Sequence, residues 1–255
     1  MFATVSCADW QDFRFKVSTV LSSTRGGIFG EYVFRGQSCS SWSLSSSFDR
    51  KWKDISHKAR DNKYAEMLAA FRENLEFYGD LGGARALDIK TSLKQLNEAE
   101  LESIAQHNGL KTRLLDWSQS VYVAAFFAFS RTQDCESGLV SIFALHKRTL
   151  RENFSNSHIK YAGDLYKENT RQLWQYGAFT RNFTSERQLE ELFKSSSSFY
   201  DHSLDAGLPC LLRFDIPVTD VATATDDLKM MRINSMTIFP GLEGVVRWIE
   251  DGGYA

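Results

Sequence analysis

Residues able to bind an anion lie at the end of a short apolar run near the start of the chain. The segment YVFRGQ, residues 32–37, places Arg35 directly after that run and Gly36 directly after the arginine. An arginine at a strand end presents a planar fork of donors, and a glycine lets a ligand approach the backbone closely. This combination suits a phosphate or a ribose, and we expect Arg35, Gly36 and Gln37 to contact such a ligand.

A second group of polar residues precedes a short apolar helix in QHNGLKTRLLDWSQSVYVAAFFAF, residues 106–129. The helix VYVAAFFAF has no polar face, so we expect it to be buried on every side, with Ser118 or Ser120 as its cap. A loop leading into a buried helix lies near the core, and its charges need partners because an isolated buried charge is costly.

Two interpretations of that loop are open, and they are compatible. Arg113 could pair with Asp116 beneath Trp117 and hold the loop in shape, or the loop could line a pocket with His107 and Thr112 facing a ligand. Polar residues beside a strand end and a buried helix need a shared polar environment. We therefore expect one pocket to gather Arg35, Gln106, His107, Thr112, Arg113, Asp116 and Gln175.

Several other kinds of chemistry find little support in the sequence. His107, Asp116 and many serines are present, but no G-x-S-x-G elbow of a serine hydrolase accompanies them. Neither a phosphate-binding glycine loop nor the clustered carboxylates of a metal-dependent nuclease occurs, so we expect no metal. Four widely spaced cysteines without a CxxC pair predict reduced thiols rather than a zinc site or a disulfide scaffold: Cys7, Cys39, Cys135 and Cys210.

A metal-free ribonuclease of the R-x(4–6)-H kind remains an alternative. The pattern is formally matched from Arg50 to His57 and again from Arg151 to His158. Two matches in one arginine-rich chain show how weakly this motif discriminates.

Composition is that of an ordinary globular protein. The 255 residues are 43% hydrophobic and 24% charged, and the net charge is −2, so no overall positive field attracts nucleic acid or a membrane. A nucleic-acid or protein target stays open as a partner, and a membrane does not. The first residues lack the pattern of a signal peptide, and the most apolar stretch is about half the length of a membrane helix. We expect a cytoplasmic protein.

The pattern of short strands and irregular helices predicts an α+β fold, with a small, mainly antiparallel sheet surrounded by helices. Strands are expected at Glu31–Arg35, Leu139–Leu145 and Cys210–Ile216. Helices are expected at Ala8–Val20, Phe48–Tyr78 (as one or two in tandem), Asn97–His107 with Gly109 as its stop, Arg171–Ala178, Glu186–Lys194, Val218–Met230 and Gly241–Asp251.

Three segments together resemble the FRG domain family. Phe34-Arg35-Gly36 matches the motif that gives the family its name, and QHNGLKTRLLDWS resembles its central motif, with Lys111 in place of the usual proline and Ser118 in place of threonine. RQLWQYGAF, residues 171–179, and IFPGLEG resemble later motifs, so the likeness spans roughly residues 30–247. It implies one FRG domain over residues 1–255, with an N-terminal helix (about 1–25) and a helical insertion (about 48–100). It also implies a prokaryotic or viral intracellular protein, and no established activity.

The order of residue types is similar to that of ADP-ribosyltransferases. Their arginine-bearing first strand helps seat NAD, a Ser/Thr segment precedes a helix with small residues, and an acidic or amide residue follows. Arg35, the stretch 112–118 and Gln175 occur here in that order, although such transferases usually have a glutamate where Gln175 stands. The likeness implies NAD as cofactor, a toxin or defence effector, and catalytic roles for Arg35, His107 and Gln175. The other hypothesis is a non-catalytic nucleotide- or nucleic-acid-binding domain.

Overall fold

The computed structural model describes residues 2–22, 31–80, 96–153, 159–162, 175–182, 184, 186, 188–195, 209–239 and 241–252. The chain divides into two compact units, one formed by residues 1–44 with 116–255 and the other by residues 45–115. The second unit spans the range 48–100, in which the sequence predicts a helical insertion. Each unit is described by itself.

Among the described residues, a seven-stranded sheet is the frame of the fold. Its strands are β1 (Phe2–Ser6), β2 (Tyr32–Gln37), β3 (Leu114–Ser118), β4 (Leu139–His146), β5 (Ile159–Ala162), β6 (Gly177–Asn182) and β7 (Leu211–Pro217), in the spatial order β1-β7-β4-β2-β3-β6-β5. β1 pairs with β7 in parallel, whereas β2 with β3, β2 with β4, β4 with β7 and β5 with β6 are antiparallel. The expected α+β class and mainly antiparallel sheet are confirmed, although the sheet is mixed and larger than expected.

Helices of the described residues alternate irregularly with these strands. They are α1 (Trp10–Ser22), α2 (Ser47–Lys51), α3 (His57–Asp80), α4 (Glu98–His107), α5 (Val121–Phe129), α6 (Lys147–Asn153), α7 (Leu189–Ser195), α8 (Val221–Met230), α9 (Ser235–Ile238) and α10 (Leu242–Glu250). In the same described ranges, 3₁₀ turns lie at Thr132–Asp134 and Val218–Asp220. None of the helices described is long and apolar enough to cross a membrane.

The main core of the larger unit lies on one face of the sheet. α1, α5 and α8 pack there against alternate residues of the central strands, including Tyr32 and Phe34 of β2. α5 begins at its cap Ser120, whose hydroxyl accepts a hydrogen bond from the Val123 amide, as one of the two expected capping serines.

Gly36 allows α5 to approach β2. A Cβ atom on Gly36 would lie 1.9 Å from the Ala124 carbonyl oxygen and 2.6 Å from the Ala128 amide nitrogen. The glycine is therefore required by helix packing, and this replaces the expectation that it keeps the backbone open to a ligand.

The smaller unit is built from α2, α3 and α4. The expected helical region 48–78 is two helices in tandem, and Phe48 of α2 packs with Tyr64 and Leu68 of α3. Asn97 caps the start of α4 and forms a capping box with Glu100, and the helix ends before Gly109, whose φ is +90°.

Some expected boundaries are wrong. Residues 114–118 form β3 instead of a loop, and residues 2–6 form β1 ahead of the N-terminal helix. In the helix expected at 171–178, residues 171–174 lie outside the described part, residues 175–176 form a turn, and residues 177–178 begin β6. The helix expected from Glu186 starts only at Leu189.

Candidate ligand-binding site

Arg35 is held at the point where β2 and β3 separate. Its Nη1 donates to the backbone oxygen of Asp116 at 2.7 Å and lies 3.8 Å from the Asp116 carboxylate. The Arg35 side chain is 20% exposed and the Asp116 side chain is 64% exposed. Arg35 and Asp116 thus come together as expected, through a backbone bond that fixes the guanidinium more firmly than the distant carboxylate does.

The registers of β2, β4 and β7 place two rows of side chains on the sheet face opposite α5. Arg35 is paired with Phe143, which is paired with Arg213, and Gln37 is paired with Ser141, which is paired with Asp215. Directly opposed residues of antiparallel strands lie on the same face with Cβ atoms about 5 Å apart. We call the group formed by Arg35, Gln37, Ser141, Phe143, Arg213 and Asp215 the polar sheet face.

Asp215 is the centre of a buried hydrogen-bond group within the polar sheet face. Ser141 Oγ donates to Asp215 Oδ1 at 2.5 Å, and Arg213 Nε donates to the same oxygen at 2.6 Å. Ser141 is fully buried and Asp215 is 8% exposed. The Arg213 guanidinium also lies 5.9 Å from the centre of the Phe143 ring. A buried carboxylate is tolerated here because a cation and a hydroxyl both contact it.

Gln37 carries an acceptor that the described residues leave unused. Its Nε2 donates to the Ser43 carbonyl oxygen at 3.1 Å, while its buried Oε1 has no hydrogen-bond partner in the described part of the chain. The residue is only 7% exposed. Since buried amide oxygens nearly always accept a hydrogen bond, this atom is suited to a donor from a ligand.

Trp117 and Gln175 form hydrogen bonds with neighbouring elements of the larger unit. Trp117 is buried, and its indole nitrogen donates to Thr180 of β6 at 2.9 Å. Gln175 Nε2 donates to the Ile238 carbonyl oxygen at 3.3 Å, and its own carbonyl accepts from Ser118 Oγ at 2.8 Å. Neither of these two hydrogen bonds of Gln175 involves Arg35.

Arg113 does not pair with Asp116 as we expected. Its Nη2 contacts Asp61 Oδ1 of α3 at 2.6 Å, and its guanidinium lies over the rings of Phe48 and Tyr64 at 5.2 and 5.0 Å. Arg113 directly precedes the extended strand β3, and residues an odd number of positions apart in an extended chain point to opposite sides, which keeps the Arg113 and Asp116 side chains apart. Arg113 is 7% exposed and belongs to the packing of the smaller unit, so its scaffold role stands with a different partner.

The remaining expected residues lie in the smaller unit. Thr112 Oγ1 donates to Gln106 Oε1, and Thr112 is fully buried. His107 is exposed in the last turn of α4. Of the ribonuclease-like pairs, Arg50 donates to the Ser45 carbonyl, His57 lies 3.4 Å from Asp61, and His158 falls outside the described residues.

Ser141, Arg213 and Asp215 are not among the residues that the sequence motifs indicate. For β7 a signal was present, because LLRFDIP places Arg213 and Asp215 two residues apart in an otherwise apolar strand, and that spacing puts them on one face. Ser141 in β4 had no comparable signal. Within the described residues, no three His, Cys, Asp or Glu side chains are grouped closely enough to hold a metal ion.

Comparison with known families agrees with this arrangement of motifs. Residues 30–137 match the model of the FRG domain, a range that contains Phe34-Arg35-Gly36, the central motif and α5. Residues 30–137 therefore contain an FRG domain, as the sequence motifs indicated. The likeness that we expected to extend to about residue 247 is not covered by the match. No curated protein and no solved structure matches the chain.

Proposed function

We propose that this FRG-domain protein binds a small nucleotide, such as NAD, at the polar sheet face, with Arg35 contacting a phosphate. One observation supports this proposal above the others: a fixed arginine and a buried amide oxygen without a described partner, Gln37 Oε1, lie on one face of the same strand. A nucleotide offers an anion to the first and a ribose hydroxyl or amide donor to the second.

The spacing of these two groups suits a ligand that lies along β2. Arg35 and Gln37 are separated by two residues of an extended strand, which is about 7 Å. Asp116 contributes little opposing charge because its carboxylate is exposed and 3.8 Å from the guanidinium. Arg213 on the same face is paired with Asp215 at 2.6 Å, which makes Arg213 a poor candidate for the phosphate contact.

A second candidate is an NAD-using transferase or glycohydrolase, and Asp215 favours it. Such chemistry needs an acid near the ribose, and the Gln175 side chain is engaged with Ile238. Asp215 is a carboxylate on the same face as Arg35, held by Ser141 and Arg213. In this candidate Asp215 replaces Gln175 as the residue that stabilises charge developing on the ribose. His107 and Gln175 gain no catalytic role from their contacts.

Binding measurements on Arg35 variants test the proposal. Wild type, Arg35→Lys and Arg35→Ala are titrated by calorimetry with NAD, ADP-ribose, AMP, phosphate and a short RNA, and each melting temperature is recorded. Both variants should melt near wild type and bind the nucleotide at least about tenfold more weakly, because lysine keeps the charge but loses the planar fork. Arg247→Ala on α10 is the control, since it removes a cation that pairs with Glu243 away from the sheet.

A third variant separates the two groups of the site. Gln37→Met keeps the volume of the side chain but removes its amide oxygen, so it should weaken NAD and ADP-ribose while leaving phosphate unaffected. Nicotinamide release by wild type and its loss in Asp215→Asn would establish the second candidate. The proposal fails if wild type binds no nucleotide of the panel, or if both Arg35 variants unfold.

A further inference from the structure

Two of the four cysteines lie in one cluster of hydroxyl groups next to the end of β2. Cys39 Sγ lies 3.2 Å from Ser41 Oγ and 3.3 Å from Ser137 Oγ, and Cys135 Sγ lies 3.4 Å from the same Ser137 Oγ. Ser137 Oγ therefore lies within reach of both thiols. All these residues belong to the larger unit.

The backbone holds the two cysteine segments against each other. The Ser40 amide donates to the Leu139 carbonyl oxygen at 2.7 Å, and Ser40 Oγ donates to Ser137 Oγ at 2.9 Å. Cys135 Sγ donates to the same Leu139 carbonyl at 3.2 Å. These hydrogen bonds hold the two segments together, and this keeps the two thiols close to each other.

Only one of the two thiols is shielded from solvent. Cys39 is 1% exposed, whereas Cys135 is partly exposed. Burial raises the pKa of the Cys39 thiol, but hydrogen bonds, chiefly with Ser137 and Ser41, outweigh burial and lower the pKa to about 6. Burial is the main reason that the pKa of Cys7 is raised to about 11 and that of Cys210 to about 12. A thiolate is the attacking species in disulfide exchange, so this cluster is the reactive one.

We propose that Cys39 and Cys135 form a reversible intramolecular disulfide, with a small disulfide such as oxidised glutathione as the oxidant. The Cys135 thiolate attacks one glutathione sulfur and releases one glutathione thiolate. The Cys39 thiolate then attacks the Cys135 sulfur of the mixed disulfide and releases the second. The two protein thiols together lose two protons and two electrons, and two molecules of reduced glutathione carry them away.

This disulfide would connect the segment after β2 to the segment before β4. Gln37, whose amide donates to Ser43, is the last residue of β2 and lies two positions before Cys39. The cross-link would therefore restrain the 38–43 loop, which positions the end of β2.

The full-length protein is equilibrated in mixtures of oxidised and reduced glutathione, alkylated and digested without reduction. Mass spectrometry should find a Cys39–Cys135 cross-linked peptide in wild type, with Cys7 and Cys210 alkylated, and reduced glutathione should reverse the cross-link. Cys39→Ser should stop at the mixed disulfide on Cys135. Cys135→Ser should leave Cys39 reduced, because its thiol is buried.

Ser137→Ala tests the role of the shared hydroxyl group. Without it the pKa of Cys39 rises, so the second step slows and the mixed disulfide on Cys135 accumulates several-fold over wild type. Ser130→Ala, which removes an exposed hydroxyl bonded to the Phe127 carbonyl, is the matched control and should behave as wild type. Wild type that remains fully reduced, retains glutathione on Cys135, or cross-links only between chains overturns the proposal.

Discussion

Arg113 and Asp116 are three residues apart, and each has a partner from a different stretch of the chain. Asp61 contacts the buried Arg113, and Arg35 donates to the backbone oxygen of Asp116. These partners predict a large loss of stability for one aspartate substitution and a small loss for the other. Asp61→Ala leaves a buried guanidinium without its carboxylate and should lower the free energy of unfolding by about 2 kcal/mol.

Asp116→Ala should lower it by less than about 0.5 kcal/mol, because the carboxylate is 64% exposed and the backbone acceptor of Arg35 is retained. Urea unfolding followed by circular dichroism compares both variants with wild type. A large loss of unfolding free energy in Asp116→Ala, with no loss in Asp61→Ala, would instead support an ion pair between Arg113 and Asp116.

For individual residues, the sequence predicted which side chains belong to the site better than it predicted which residues they contact. The Arg35–Asp116 proximity was predictable because both residues stand beside apolar elements that must pack, so their polar groups share surroundings. The Arg113 partner was not, because Asp61 is 52 residues earlier and nothing in its local pattern marks it as facing Arg113. Gln37 was predicted as a ligand contact because it lies beside Arg35. That its buried Oε1 has no hydrogen-bond partner among the described residues can be seen only in the structure.

The close packing of α5 on β2 leaves no room for a side chain at position 36. An added methyl group would lie 1.9 Å from the Ala124 carbonyl oxygen, so Gly36→Ala must displace the helix or the strand. We expect a loss of about 3 kcal/mol or more in the free energy of unfolding.

Gly138→Ala is the control for this variant. Nothing lies within 4 Å of a Cβ atom there, and only its φ of +68° opposes a side chain, so the cost should be about 1 kcal/mol. Thermal and urea unfolding of both variants measure the difference. Equal losses would show that the contact between α5 and β2 is not what requires Gly36.

Elements with strong local signals were predictable and short strands were not. α4 carries its cap and its glycine stop, and α5 is a continuous apolar run behind a serine, so both follow from neighbouring residues. β1 and β3 are five residues each, too short for a period-2 pattern to stand out, and β3 contains Asp116 and Trp117 within a stretch that resembles a loop. They form because β7 and β2 offer edges with which to pair.

At the scale of the whole molecule, the strand order creates the polar sheet face. β7 lies beside β4, and β4 beside β2, so Arg213 and Arg35 are brought to one row although they are far apart in the chain. No local pattern encodes that neighbourhood, because the order of strands depends on how all helices cover the sheet. The α+β class could be predicted from the alternation of elements, whereas the composition of this face could not.

The stability of the whole molecule should also depend on the protonation of Glu190. Burial raises the pKa of this carboxyl, and the backbone amides of Glu190 itself and Leu44 offset that effect only in part. The native state therefore binds a proton more readily than the unfolded chain does. The free energy of unfolding is then highest below the ordinary value of 4.5 and falls as pH rises through the raised native pKa.

Glu190→Gln removes this titration and keeps an oxygen that can accept from the Leu44 amide. The stability of wild type relative to Glu190→Gln, measured by urea unfolding at a series of pH values, should decline from about pH 4.5 upward and then become constant. Glu191→Gln on the same helix removes an exposed carboxylate of equal charge, so it separates burial from net charge. A difference curve that rises with pH would mean that the bonds to the Leu44 and Glu190 amides outweigh the burial of the carboxylate.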